Sequence, residues 1–178
     1  MPAIDPHRSA LAIIDIQQKL MPAIANGKQV LDNTQRLLEA ARLLEIPRVF
    51  TEQNPEGLGT TEPRLTAGED EPVLEKMSFD ACRSHGAQTL MAGREQLVVA
   101  GCEAHVCVLQ TVLGLLEAGR QVYVVSDAVG SRSPDNRLAA LQRVADHGAE
   151  IVTAEMVLFE WLGDAGHPNF RDILALIK

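Results

Sequence analysis

The sequence predicts an α/β domain in which a six-stranded parallel sheet lies between two layers of helices. Three observations carry this. Short β-type runs alternate with segments of helical period along the chain. The β-type runs are almost continuously apolar, as strands buried on both faces are. No internal repeat, low-complexity tract or linker divides the 178 residues, a length that suits one domain, residues 1–178.

The first strand is ALAIID, 10–15. A helix over roughly 28–45 follows, because Val30, Thr34, Leu37, Leu38, Ala41 and Leu44 recur on one face at spacings of three and four. Pro47 closes it, and RVFT, 48–51, is the second strand. Residues 52–71 are rich in Gly, Pro and acids and read as an excursion loop. PVLEK, 72–76, is a short third strand, followed by a weak helix around 80–92. The fourth strand, 96–101, runs into Gly101, and a helix over 104–118 ends at Gly119. QVYVVS, 121–126, is the fifth strand, and DAVGSRS is a loop. The next helix starts clearly: Ser133 can cap it, Pro134 fits its first position and Asp135 suits its dipole. It runs to His147 and Gly148, EIVT, 150–153, is the sixth strand, and two short helices close the chain around a break from Gly163 to Pro168. Their apolar residues, Phe159, Trp161, Leu162 and Phe170, can cover the core or a partner.

Right-handed crossovers between six such strands give a Rossmann-like, doubly wound sheet of order 3-2-1-4-5-6. Ligands in such sheets bind beyond the carboxyl ends of the strands, where the order reverses. Here that point lies between strand 1, which ends in Asp15, and strand 4, which leads to Cys107.

Composition narrows the function. Sixteen basic against twenty-four acidic residues give a net charge of −8, with no Lys/Arg block, which argues against nucleic acid or an anionic membrane surface as the main partner. No apolar run approaches the ~20 residues of a membrane span. The opening MPAIDPHRSA lacks the regions of a secretion signal, and three cysteines, Cys82, Cys102 and Cys107, form no CxxC pair. A reduced, cytoplasmic protein is the expectation.

Cys107 lies six residues past Gly101 in the first turns of a helix, where unpaired N–H groups and the helix dipole favour thiolate. It reads either as a nucleophile or as a small packed hydrophobe. Asp15 ends an apolar strand, where a carboxylate is costly unless paired or functional, so it reads as a general base or a turn acceptor. Lys76 ends strand 3, two strands or about 10 Å from strand 1. It can close that gap to support Asp15 and a thiolate, or be a surface lysine. His105 invites a Cys–His pairing, but two residues along a helix is about 200° of rotation, so it lines a pocket at most. The histidines show no HxxxH or HxH spacing, and neither GxGxxG nor GxxxxGK[ST] occurs. No metal or cofactor signature is present in the sequence.

Taken together, AIIDIQ (12–17), Lys76 in EKMSF, VAGCEAHVCV (99–108) and SDAVGSRS (126–133) resemble the motifs of the isochorismatase-like cysteine hydrolase superfamily. The resemblance covers nearly the whole chain. TEQNPEGLG, CEAHVCVLQT and the ending GDAGHPNFRDILALIK are most similar to its isochorismatase domain-containing branch. It implies a triad of Asp15 as base, Lys76 as support and Cys107 as nucleophile, working through a thioester. It implies a cis peptide at Cys102–Glu103 and an oxyanion hole from the N–H groups of Glu103 and Cys107. Nicotinamidases of the superfamily carry Asp-x-His for a metal after strand 2. This chain has Thr51-Glu52-Gln53 there, so a metal-independent hydrolase of a small amide-like (C–N) or related carbonyl substrate is expected, without cofactor and as a homo-oligomer. Gln17, Gln53, Phe79 and His105 are the expected substrate contacts. A non-catalytic or regulatory binding protein of the same fold, and a redox thiol protein pairing Cys107 with Cys102 or Cys82, are the alternatives.

Overall fold

The computed structural model describes residues 3–91 and 94–178. Six strands form one parallel sheet in the order β3-β2-β1-β4-β5-β6, as the alternating pattern predicts. They are β1 Ser9–Ile14, β2 Arg48–Gln53, β3 Val73–Lys76, β4 Gln96–Cys102, β5 Gln121–Gly130 and β6 Glu150–Val152. The helices are α1 Gly27–Leu43, α2 Pro55–Leu58, α3 Ala87–Met91, α4 Leu109–Glu117, α5 Pro134–Asp146, α6 Ala154–Leu162 and α7 Phe170–Ile177.

The strand pleat splits one apolar run between two cores. In β1, Leu11 and Ile13 face a core shared with Leu37 and Leu38 of α1, Trp161 of α6 and Ile173 of α7. Ala10, Ala12 and Ile14 face the opposite core, with Val112 and Leu115 of α4 and Val144 of α5. Each large aliphatic side chain so buried contributes roughly 1.5–3 kcal/mol. Of the C-terminal apolar residues, Trp161 and Leu162 are buried and Phe170 packs against the core, while Phe159 stays exposed.

Gly101 sets how closely β4 approaches β1. Ile14 pairs with Gly101, and a Cβ there would lie 2.1 Å from the Ile14 carbonyl oxygen. Its φ of 144° is also a conformation that L side chains rarely adopt.

Several expected elements need correction, beginning with the 52–71 loop, which holds the end of β2, the short α2 and a turn at Pro63–Leu65. The helix expected over 80–92 is a turn, Ala81–Arg83, followed by the short α3, with the Asp80 carboxylate accepting from the Cys82 N–H at 2.8 Å; its expected end, Ala92, lies outside the described residues. The segment 104–118 opens as a π-helical turn, Ala104–Val108, before α4 begins. The loop DAVGSRS starts as strand: β5 runs on to Gly130 past a register shift between Val99 and Gly101 and regains pairing at Gly101↔Val129. Ser133 occupies the cap of α5 without a side-chain capping bond, whereas Thr153, which the sequence reading passed over, caps α6 by accepting from the Met156 N–H at 3.3 Å.

Candidate active site

The carboxyl ends of β1, β2, β3 and β4 meet at the point where strand order reverses. Asp15 follows the last residue of β1 and takes a left-handed φ of 49°, which aspartate tolerates better than most residues. Its N–H donates to the carbonyl of Thr51 at 3.1 Å on the adjacent strand. The Thr51 hydroxyl donates to one carboxylate oxygen of Asp15. Lys76, in register with Gln53, crosses over β2 and donates from Nζ to the other oxygen at 2.7 Å. Lys76 Nζ also donates to the carbonyls of Ser78 at 3.2 Å and Phe79 at 3.4 Å. The two side chains are 0% and 1% exposed, so the pair is fully desolvated and its polar atoms must satisfy one another.

Cys107 sits within the π-helical turn after β4, is buried, and lines the same cavity as Asp15. This corrects the expectation of a helix-terminal thiolate. Burial pushes the thiol well above its ordinary value, the Asp15 carboxylate adds to the rise, and Lys76 opposes it. The physical reason is placement: the side chain lies inside the turn against a carboxylate, where a charged sulfur loses hydration.

Asp15 and Cys107 open on a cavity of about 360 Å³ whose walls are mainly apolar, including Leu20, Leu58 and Val106. Gln53 and Phe79, two of the expected substrate contacts, line it. Gln17 and His105 do not, which corrects that reading. Gln17 is fully buried and clamps backbone, donating to the carbonyls of Gln53 and Gly59 and accepting from the Gln53 N–H at 2.9 Å. His105 turns away to Ser131 Oγ at 3.0 Å and Asn136 Nδ2 at 3.4 Å, consistent with its divergence from Cys107 along the turn.

Glu103, whose N–H is the expected oxyanion donor, follows a peptide bond that is cis. Its side chain also lines the cavity and accepts from the Arg132 N–H at 2.9 Å and from Arg132 Nε at 3.0 Å. Burial favours the protonated acid, yet these bonds outweigh it and hold the Glu103 carboxyl below its ordinary value. Sequence reasoning missed two residues here, Thr51 and Arg132. Thr51 was detectable only as a polar residue in a strand next to Asp15, and Arg132 sat in the quoted SDAVGSRS segment with no role attached.

Glu52, in the stretch where a metal motif would fall, has its carboxylate engaged by the N–H of Thr61 at 2.6 Å and its hydroxyl at 2.7 Å. A larger groove of about 640 Å³ beside α1, lined by residues such as Lys28, Asp32 and Arg36, brings no thiol to a carboxylate. No helix of the described residues is long and apolar enough to cross a membrane.

Fold and site together define a doubly wound α/β protein with a carboxylate, an amine and a thiol near the switch point of its sheet. The isochorismatase domain model matches residues 9–156, and the chain belongs to the isochorismatase family, which supports a hydrolase-type function. Isochorismatase domain-containing protein 2A of Mus musculus is 42% identical over 176 residues, spanning 97% of this chain and 84% of its own. The MAR1 ribonuclease of Caenorhabditis elegans superposes with a TM-score of 0.95 at 38% identity, covering 99% of this chain and 92% of that one. YcaC from Pseudomonas aeruginosa, described with hexane-2,5-diol and covalent acrylamide, superposes with a TM-score of 0.90 at 26% identity, covering 98% and 91%.

Proposed function

We propose that the protein is a metal-independent cysteine hydrolase acting on small amide-like (C–N) or related carbonyl substrates. The observation that carries this reading is Asp15, which lines the same cavity as Cys107 and is held from behind by the fully desolvated Lys76.

In this mechanism Cys107 rests as a neutral thiol. Asp15 takes its proton as the sulfur attacks the carbonyl carbon. Negative charge collects on the carbonyl oxygen, and the N–H groups of Glu103 and Cys107 receive it; one such donor is typically worth about 3–4 kcal/mol of barrier. Collapse expels the amine, which takes the proton from Asp15 and leaves a thioester on Cys107. Asp15 then deprotonates water for attack on the thioester, and the acid departs as the thiol is restored. Lys76 fixes the Asp15 rotamer and offsets the negative charge. Thr51 and Lys76 each occupy one lone pair of the Asp15 carboxylate, one on each oxygen, which leaves acceptor capacity for the thiol proton.

The net charge of −8 runs against carrying a nucleic-acid substrate over from the Caenorhabditis elegans neighbour. Covalent acrylamide on the Pseudomonas aeruginosa neighbour suits a family fold that offers a nucleophile to small electrophiles. A redox pairing finds little support. Burial, with Asp80 adding to it, pushes the Cys82 thiol up to about 12, and Cys102 is buried against Met21. The reading takes the protein as a cofactor-free, cytoplasmic homo-oligomer. Its unpaired thiols suit a reducing compartment, and Met156 and Phe159, exposed on α6, suit an interface.

The test is turnover of a panel of small primary amides, esters and imines by the intact protein and by Cys107→Ala. Hydrolysis that the substitution abolishes supports the reading. Undiminished hydrolysis by Cys107→Ala, or none by the wild type across the panel, overturns it.

A further inference from the structure

The charges around the cavity cancel. Asp15 is paired with Lys76, and Glu103 is paired with Arg132, so the two carboxylates facing the cavity are each matched by one cation. The second pair differs from the first in exposure. The Arg132 side chain is 64% exposed while Glu103 is 8% exposed, so the guanidinium stands at the rim and its carboxylate lies inside. Glu103 engages Arg132 through Nε and the backbone N–H, and among the described residues nothing accepts from Nη1 or Nη2. A guanidinium held by one edge presents two parallel donors on its other edge. Gln53 adds a neutral amide, and the rest of the wall is apolar, from Leu20, Ala23, Leu58, Phe79 and Val106.

From this arrangement, and resting on the hydrolase reading above, we infer that the site selects uncharged substrates: a small amide with an apolar acyl group, whose outer hydrogen-bond acceptor is read by the free edge of Arg132, with Glu103 as the residue that excludes anions. A substrate carboxylate would enter a low-dielectric cavity that already holds two carboxylates and has no unmatched cation, and it would lose its hydration without compensation. A neutral carbonyl meets no such cost and can still accept from Arg132. The volume of about 360 Å³ sits at the small end of ligand pockets, which suits an acyl group of a few carbons. Glu103 then acts twice: its backbone N–H is offered to the oxyanion, and its side chain sets the charge of the entrance.

The test uses two alkylating probes of matched shape, neutral iodoacetamide and anionic iodoacetate. Their rates on Cys107 are read by peptide mass mapping and divided by their rates on 2-mercaptoethanol. The expected result is a normalised preference for iodoacetamide of at least about tenfold. Glu103→Gln leaves the Arg132 charge unmatched and should move the preference toward iodoacetate. Arg132→Gln leaves the Glu103 charge unmatched and should move it the other way. Equal or faster normalised labelling by iodoacetate in the wild type, or the two variants shifting in the same direction or not at all, overturns the inference. Should neither probe label Cys107, the nucleophile reading fails and charge selection is decided by thermal shift with isobutyramide and isobutyrate. A higher Tm with the amide supports selection for neutral ligands, whereas a shift with isobutyrate alone, or with neither, overturns it.

Discussion

Lys76 Nζ lies 2.7 Å from Asp15 Oδ2 across an intervening strand, and neither side chain has appreciable contact with solvent. The register makes this contact possible. Ile14 pairs with Thr51 and Gln53 with Lys76, so the lysine stem runs diagonally over the end of β2 to the residue after β1. Breaking such a pair from one side leaves a bare buried charge. Lys76→Met is expected to lower unfolding stability by about 3–5 kcal/mol. The double variant Asp15→Asn/Lys76→Met should lose less than the sum of the two single variants, as urea denaturation of all four proteins would show.

Thr51 tests how finely Asp15 must be held. Thr51→Val keeps the shape and removes the hydroxyl that Asp15 accepts from. We expect kcat/KM for amide hydrolysis to fall by about tenfold, the equivalent of one hydrogen bond to a charged group, with Thr51→Ser restoring most of the loss.

Gly101 tests the strand approach that brings the two motifs together. In Gly101→Ala the new Cβ would overlap the Ile14 carbonyl oxygen, and backbone cannot yield as a flexible side chain can. A loss of more than about 3 kcal/mol is expected, read as a large drop in Tm or as failure to fold.

Protons separate a resting thiol from a resting thiolate. Because burial raises the Cys107 thiol, the rate of Cys107 alkylation by iodoacetamide should still be climbing at pH 9 in the folded protein. A plateau reached between pH 6 and 7 would show a thiolate at rest and contradict the proton transfer assigned to Asp15.

A separate pH effect belongs to the scaffold. Glu71 is buried between Arg42, at 2.6 Å, and Arg48, at 2.7 Å, and the Arg42 guanidinium above all holds its carboxyl at about 2 instead of 4.5. The folded state therefore binds this proton more weakly than the unfolded chain. The stabilisation is complete above the unfolded value and is lost as pH falls from about 4.5 towards 2. The full shift corresponds to about 3 kcal/mol, which solvent screening of the 38% exposed Arg42 reduces to about 2 kcal/mol, and Glu71→Gln should flatten that part of a stability profile measured by denaturant titration against pH.

Sheet order was legible because buried parallel strands leave a strong local mark, whereas Asp15, Lys76 and Cys107 became joint candidates for one triad only through the motif resemblance. Apolar runs such as LVVA before Gly101 announce buried parallel strands, and the switch-point rule then joins Asp15 to Cys107 without any contact being known. What escaped was set by tertiary contact. The thiol's raised proton affinity comes from residues far away in sequence, so the local helix-dipole argument pointed the wrong way. Gln17 looked like a substrate contact because it stands two residues from Asp15, yet its amide is used up on the backbone of Gln53 and Gly59. Arg132 lay hidden in a segment that read as loop, and only the extension of β5 to Gly130 carries it to the cavity rim.

The most direct measurement is the mass of the protein caught during turnover of a slowly released acyl ester. Peptide mapping should find the acyl group on Cys107, with no adduct in Cys107→Ala and strongly slowed formation in Asp15→Asn. Turnover without any adduct on Cys107, or an adduct that persists unchanged in Cys107→Ala, would contradict the account.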